Sequence, residues 1–337
     1  MTELPRFRAA HLSPYMQVLH AVGVPVEREL RRAHLPTQVE GHLEAHLPLL
    51  PVLRMLEQVS RTEGIDALGL RAALQLDLDD LDRHIVSAVY QAPSLKLAIE
   101  RFSKLCQLEN SQLRVWLAAD GESDLLASRL ELPDHPEGLQ YSEWNQNLAL
   151  LGVVRAFTHS TWQPSEMAFS ATAPIAPFAQ EQFPNTRFLR GQGAAWLRLP
   201  RELLHRPPRS RSRTAAGDCA ADAGVPAAAR DMTSALRDVL VAYLREGSPP
   251  IELAAELAGT SLRTFQRRLS VEGTTYSQLL QELRLQSART LLEETDLRVM
   301  EVALELGYED ASHFSRAFRR MAGVSPRTYR AQLAKAS

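Results

Sequence analysis

Residues 253–269 read LAAELAGTSLRTFQRRL, and residues 302–330 read VALELGYEDASHFSRAFRRMAGVSPRTYR. Laid over each other at an offset of 49 positions, Ala254-Ala255-Glu256-Leu257 falls on Ala303-Leu304-Glu305-Leu306, Ser261 on Asp310, Phe265 on Phe314, Arg267 on Arg316 and Leu269 on Phe318. Each copy has the same order: a short helix with a small residue, a turn containing glycine (Gly259, Gly307), and a second helix opened by a side chain able to accept a backbone N–H (Ser261, Asp310). Ala254 and Ala303 are small where the two helices of each copy would cross, which allows close approach.

In the second helices Leu262, Phe265 and Leu269 recur at helical spacing, as do Ala311, Phe314 and Phe318, so those faces should pack inward. The opposite faces present Arg263, Gln266 and Arg267 in the first copy, and Ser312, Ser315 and Arg316 with His313 in the second. Arginine can bond guanine O6 and N7 with two donors, glutamine can pair adenine, and serine or histidine can reach bases or phosphates. A single such face is as readily a solvated polar surface; two aligned copies point to a repeated groove reader.

Between the copies, Gln281 to Glu294 reads as one more helix spanning on the order of 20 Å, enough to hold two reading helices near one DNA turn apart. From Ala311 to Ser337 there are six basic side chains (Arg316, Arg319, Arg320, Arg327, Arg330, Lys335) and no Asp or Glu. This stretch could face phosphate although the chain's formal net charge is −2. Upstream, Met232 to Arg245 is an amphipathic helix stopped by Gly247, Pro249 and Pro250.

Farther upstream, residues 206–229, with Pro207-Pro208 and alternating Arg and Ser, have almost no large apolar side chain and read as a linker, or in part as a solvated Ala-rich helix. Before it, Tyr15 to Val22, Val26 to Leu35, Leu49 to Val59 and Leu95 to Leu108 carry helical patterning. Leu113, Val115 and Leu117 then alternate with polar neighbours and, with Leu126 to Leu132, predict an antiparallel pair around Asp120-Gly121. A helix over Leu139 to Phe157 and extended pieces near Met167 to Ser170, Arg187 to Leu189 and Ala195 to Leu199 complete an α+β unit. The expected organisation is an α+β domain over 1–205, a linker over 206–229 and an all-α domain with two helix-turn-helix units over 230–337.

The run from Ile251 to Arg330 resembles the DNA-binding domain of the AraC/XylS transcription regulators. That resemblance implies base contacts at Arg263, Gln266 and Arg267 in the first unit and at Ser312, His313 and Arg316 in the second. Arg268, Ser315, Arg319, Arg320 and Arg330 are assigned to phosphate, where they would fix register without reading sequence. Ser325-Pro326 resembles an N-cap followed by proline, so the last helix reads as structural.

The first two hundred residues resemble the N-terminal half of the branch that includes the ornithine-utilisation regulator and the VirS-type regulators, through VERELRRAHLP and FPNTRFLRGQGAAWLRLPRELL. This implies a module that binds a small-molecule effector and self-associates. Helical patterning before Leu108 leaves no room for the sugar-binding β-barrel of the arabinose regulator. The resemblance further implies double-stranded DNA and RNA polymerase as partners, activation more often than repression, and a homodimer, whose paired modules would raise avidity.

Other signals are weaker. Phe102, Trp116, Tyr141, Trp144 and Phe157 could line an effector pocket, but aromatics at helical spacing are more often core. His42 and His46 lack a third ligand for zinc, and Asp77, Asp79, Asp80 and Asp82 lack the spacing of a calcium loop and read as a helix start. No metal or cofactor is expected.

An enzyme is disfavoured because no GxSxG, Walker loop, dinucleotide glycine pattern or cysteine–histidine pair is present. Domains similar to the C-terminal one occur fused to alkyl-transfer repair modules, but Cys219 lies in the linker without basic neighbours to activate it. A purely architectural DNA binder is the third possibility. With two cysteines and no run of roughly 18 apolar residues, no membrane contact and a cytoplasmic place are expected.

Overall fold

The structure is a computed structural model and describes residues 4–39, 43–132, 136–209 and 231–336. Most of the expected linker, with Cys219, and His42 lie outside the described residues. The chain divides into two compact units: an N-terminal one of Pro5–Glu44 and Leu49–Ala228, and a C-terminal one of Ala229–Ser337 with Leu4 and Ala45–Pro48.

In chain order, β1 (Arg6–Arg8) is followed by α1 (Ser13–Ala21), α2 (Val26–Arg32), β2 (His46–Pro48), α3 (Leu49–Glu63), α4 (Leu68–Ala73), α5 (Arg83–Tyr90) and α6 (Leu95–Leu105). Then come β3 (Leu113–Asp120), β4 (Ser123–Leu130), α7 (Leu139–Phe157), β5 (Glu166–Ala168), α8 (Pro177–Gln182), β6 (Arg187–Leu189) and β7 (Ala195–Pro200).

The hairpin forms as its alternation predicts, with Leu113 opposite Leu130 and Leu117 opposite Leu126. β7 pairs antiparallel with the other side of β4, placing Leu197 opposite Leu126, and β5 and β6 extend the sheet to the order β3-β4-β7-β5-β6. An open sheet preceded by helices replaces the barrel that the sequence had excluded.

Helix α7 is the axis of this unit. Leu150, Leu151, Val153, Val154 and Phe157 are buried along it, as are Glu143 and Asn147, so it meets neighbours around most of its circumference. Among its buried polar groups, Glu143 accepts from Ser170 N at 2.9 Å and Ala171 N at 3.1 Å, and Asn147 donates to Ala168 O at 3.1 Å while its Oδ1 is left without a partner. Four expected lining aromatics, Phe102, Tyr141, Trp144 and Phe157, are core; Trp116, at 36% exposure, is the exception. The acidic cluster does start helical turns: Asp77 caps the turn Leu78–Asp80, and Asp82 accepts from His84 N at the head of α5.

The C-terminal unit is helical: α9 (Met232–Leu240), α10 (Ile251–Leu257), α11 (Leu262–Val271), α12 (Tyr276–Glu294), α13 (Val299–Glu305), α14 (Ala311–Ala322) and α15 (Pro326–Ala336). One apolar core runs through it, including Leu236, Leu240, Leu244, Phe265, Leu283, Leu292, Phe314 and Phe318.

Candidate nucleic-acid interface

Each half of the sequence repeat folds into two helices joined by a tight turn, α10–α11 and α13–α14. Ala254 and Ala303 are fully buried, as expected of small residues where helices cross. Gly259 and Gly307 hold φ of +62° and +74°, the left-handed conformation that side chains resist, and so redirect the chain after the first helix of each unit. Ser261 Oγ accepts from Thr264 N at 3.3 Å, and Asp310 Oδ1 accepts from both Ser312 N and His313 N at 2.7 Å. The bond from His313 N, chiefly, holds the Asp310 carboxyl below its ordinary value, with the His313 and Arg316 charges adding to it.

These caps fix which face of each second helix turns inward. Phe265 and Leu269 on α11, and Phe314 and Phe318 on α14, are each buried to within 2%. Burial of each such side chain contributes about 1.5–3 kcal/mol. Phe265 packs edge-on to Tyr276, at 6.0 Å between ring centres. The second unit carries a longer aromatic series, Tyr308–Phe314–Phe318–Tyr329, at 5.5, 5.8 and 5.6 Å.

With the apolar faces inward, all six expected base readers are exposed: Arg263, Gln266 and Arg267 on α11, and Ser312, His313 and Arg316 on α14. Arg319 and Arg320 are exposed on the last turn of α14, where their charge also favours the helix C-terminus. Ser315 is half-buried, and half-buried Arg268 has a polar partner within the protein.

Arg330 is the exception among the basic residues assigned to phosphate. Its guanidinium donates to Leu292 O (3.2 Å), Leu297 O (2.7 Å) and Thr295 O (3.3 Å), the carbonyls left unpaired as α12 ends and the chain turns toward α13. It latches α15 to that corner instead of lying open to a ligand. Ser325 Oγ accepts from Thr328 N at 3.1 Å, so the expected cap of the last helix is in place.

Helix α12 is longer than its apolar pattern suggested. It begins at Tyr276 rather than Gln281, because Thr275 and Gln278 form a reciprocal capping box: Gln278 N donates to Thr275 Oγ1 at 3.2 Å and Thr275 N to Gln278 Oε1 at 3.0 Å. Its 19 residues span about 28 Å at the α-helical rise.

Among the described residues, no cluster of three or more His, Cys, Asp or Glu could hold a metal ion, and no helix is long and apolar enough to cross a membrane. The described cysteine, Cys106, is buried, and burial pushes its thiol up to about 12, which leaves it unreactive.

Paired helix-turn-helix units with outward basic faces, joined by a stiff helix and preceded by an α+β unit, define a two-part DNA-binding regulator. A family model described as the arabinose-binding domain of AraC transcription regulators, N-terminal, matches residues 23–208, more than half of the chain, and one described as a helix-turn-helix domain matches residues 254–332. The chain belongs to the AraC family of transcription regulators.

The ornithine utilization regulator of Pseudomonas aeruginosa is 38% identical over 140 residues, 40% of this chain and 41% of that protein. The HTH-type transcriptional activator RhaS of an Enterobacter species is 42% identical over 80 residues, 23% of this chain and 29% of that protein. Among solved structures, the DNA-binding domain of the global transcriptional factor AdpA in complex with a target DNA is 36% identical, covering 27% of this chain and 83% of that one, with a TM-score of 0.25. The matched stretches thus span about two fifths of the ornithine utilization regulator and less than a third of RhaS.

Proposed function

We propose that this protein is a sequence-specific transcription regulator, acting as an activator, whose C-terminal unit reads double-stranded DNA through α11 and α14 and whose N-terminal unit binds a small-molecule effector. The observation that carries the DNA-reading part is the joint exposure of Arg263, Gln266, Arg267, Ser312, His313 and Arg316 opposite buried apolar faces in two copies of one motif. The division of labour assigns these six to base edges. Arg319 and Arg320, with Ser315 and Arg268 at the margin, are assigned to phosphate, which sets affinity and salt dependence without reading sequence.

Kinship with the AraC family and with RhaS, named as an activator, supports activation, an N-terminal effector site, contact with RNA polymerase and a homodimer as parts of this proposal, and the work of DNA reading supports a cytoplasmic place. The domain boundaries proposed are 1–205, 206–229 and 230–337. Selection of bound DNA from a random pool with the full-length protein tests the core of this reading. Enrichment of one motif with two half-sites about a helical turn apart is the expected result. Recovery of unenriched DNA would instead point to an architectural binder.

A further inference from the structure

Both helix-turn-helix units lean on one short non-helical segment of their own domain, residues 244–249, which leads the chain into α10. Toward the first of them, Pro249 O accepts from the buried Tyr276 O–H at 2.7 Å, and Tyr276 is the ring against which Phe265 of α11 packs. Toward the second, the Leu244 carbonyl occupies the space that a Cβ on Gly307 would need, and Arg245 Nη1 pairs with Glu305 Oε1 at 3.4 Å.

One side chain of the spacer helix touches both. Arg284, in the middle of α12, donates from Nη2 to Ser248 Oγ at 3.2 Å, two residues before the N-cap of α10. Its guanidinium carbon also stands 5.7 Å from the ring centre of Tyr308, which lies in the turn before α14 and packs on Phe314.

Stability alone does not account for an arginine there. Its side chain is half-buried, and its Nε is buried without a partner. Desolvation of the charge and the unsatisfied donor offset much of what the hydrogen bond and the ring contact contribute. A methionine would fill similar space without that cost. What methionine lacks is direction: the rigid guanidinium holds one neighbour through a directed N–H and another through its charge above a ring.

We infer that Arg284 is a positioning residue for operator spacing. It ties the entry of α10 and the turn before α14 to one point on α12, so that the two reading helices meet DNA at one separation and one rotation. The inference rests on reading α11 and α14 as the DNA-reading helices, and Arg284 acts through Ser248 and Tyr308 without touching base or phosphate. Two heads on a rigid frame gain a high effective concentration for the second contact, and that gain falls when one head can swing. Loss of Arg284 therefore acts on the pair of half-sites and not on either alone.

The test compares full-length wild type with Arg284→Met. Selection from a random pool with the wild type supplies the operator. Affinities are then measured for that operator, for versions with one base pair added or removed between the segments read by α11 and α14, and for each segment alone. The wild type should lose about tenfold or more on either change of gap, and Arg284→Met about threefold or less. The variant should bind the unaltered operator about tenfold more weakly, with its affinity for each isolated segment unchanged. Ser248→Ala should reduce the gap penalty in the same direction by a smaller factor, and it decides alone should Arg284→Met not fold. The same gap penalty in the wild type and the deciding variant overturns the inference and leaves DNA reading by α11 and α14 intact. Equal weakening on the whole operator and on its isolated segments also overturns it, by giving Arg284 a merely stabilising part. A wild type that enriches no two-part motif overturns the DNA-reading assignment itself, and this inference with it.

Discussion

In the first helix-turn-helix unit, Gly259 has open space where a side chain would go, whereas a Cβ on Gly307 in the second would lie 2.2 Å from the Leu244 carbonyl oxygen. The contrast runs through both units. The first is capped by one hydrogen bond from Thr264 N to Ser261; the second by two short ones to Asp310. The first has one aromatic pair against Tyr276, the second a series of rings and the Arg330 latch behind it. On the reading side the weight is reversed, with two arginines and a glutamine on α11 against serine, histidine and one arginine on α14. One backbone plan is thus held in one case chiefly by local geometry and in the other by long-range neighbours, while its outward chemistry varies independently.

The largest expected effect separates the two turns. Gly307→Ala adds a backbone clash to left-handed strain and should cost about 3 kcal/mol or more, against about 1–2 kcal/mol for Gly259→Ala. Denaturant melts of both variants decide this, and equal losses would erase the distinction between the units.

Next, Arg330→Ala should lower stability by about 2 kcal/mol through loss of the carbonyl latch while leaving the salt slope of DNA binding unchanged. Arg319→Ala should do the reverse, reducing that slope by about 1 with little effect on the melt. A flattened salt slope in the Arg330 variant would return that residue to the phosphate group.

Arg267→Ala and Arg316→Ala should each cost about 1–3 kcal/mol of specific binding and relax preference in different half-sites, as judged by repeating the selection with each variant. Equal losses on specific and random DNA would contradict their assignment to bases.

The smallest effect concerns acid. A carboxyl held lower in the folded than in the unfolded state stabilises the fold above its unfolded value, and that contribution fades as pH falls through the folded value. Asp310, depressed below its ordinary 3.8, should therefore stabilise fully at neutral pH and progressively less below about pH 4. Asp310→Asn should show a shallower decline than wild type across that window in melts taken at stepped pH, whereas Ser261→Ala should leave the acid limb unchanged.

Periodicity revealed most of the local structure. Leu139–Phe157 is a helix over its full expected span because apolar side chains surround it, and the β3–β4 register follows from alternation about Asp120-Gly121. What was not legible depends on distant partners. Helix α4 is six residues, LGLRAA, apolar but for Arg71 and too short to show a period, and is entered through Ala67 at φ 57°. The insertion of β7 between β4 and β5 is a long-range pairing that no local signal carries.

At the interface, the caps Ser261 and Asp310 and the outward faces were readable because the repeat displays them twice. The Arg330 latch was not, since its acceptors lie more than thirty residues away and are backbone atoms common to any sequence. The early start of α12 was available in principle, in the Thr275-x-x-Gln278 signature.

That early start has an evolutionary corollary. A helical spacer turns insertions and deletions into rotations: one residue more or less in α12 swings one head by about 100° relative to the other for a rise of about 1.5 Å. Duplex DNA turns about 35° per base pair over a rise of about 3.4 Å, so no change in base-pair spacing compensates both angle and distance for so small an edit. Operators of such a protein can drift in letters while the gap between their halves stays frozen, and regulators diverging from it would change vocabulary long before they change metre.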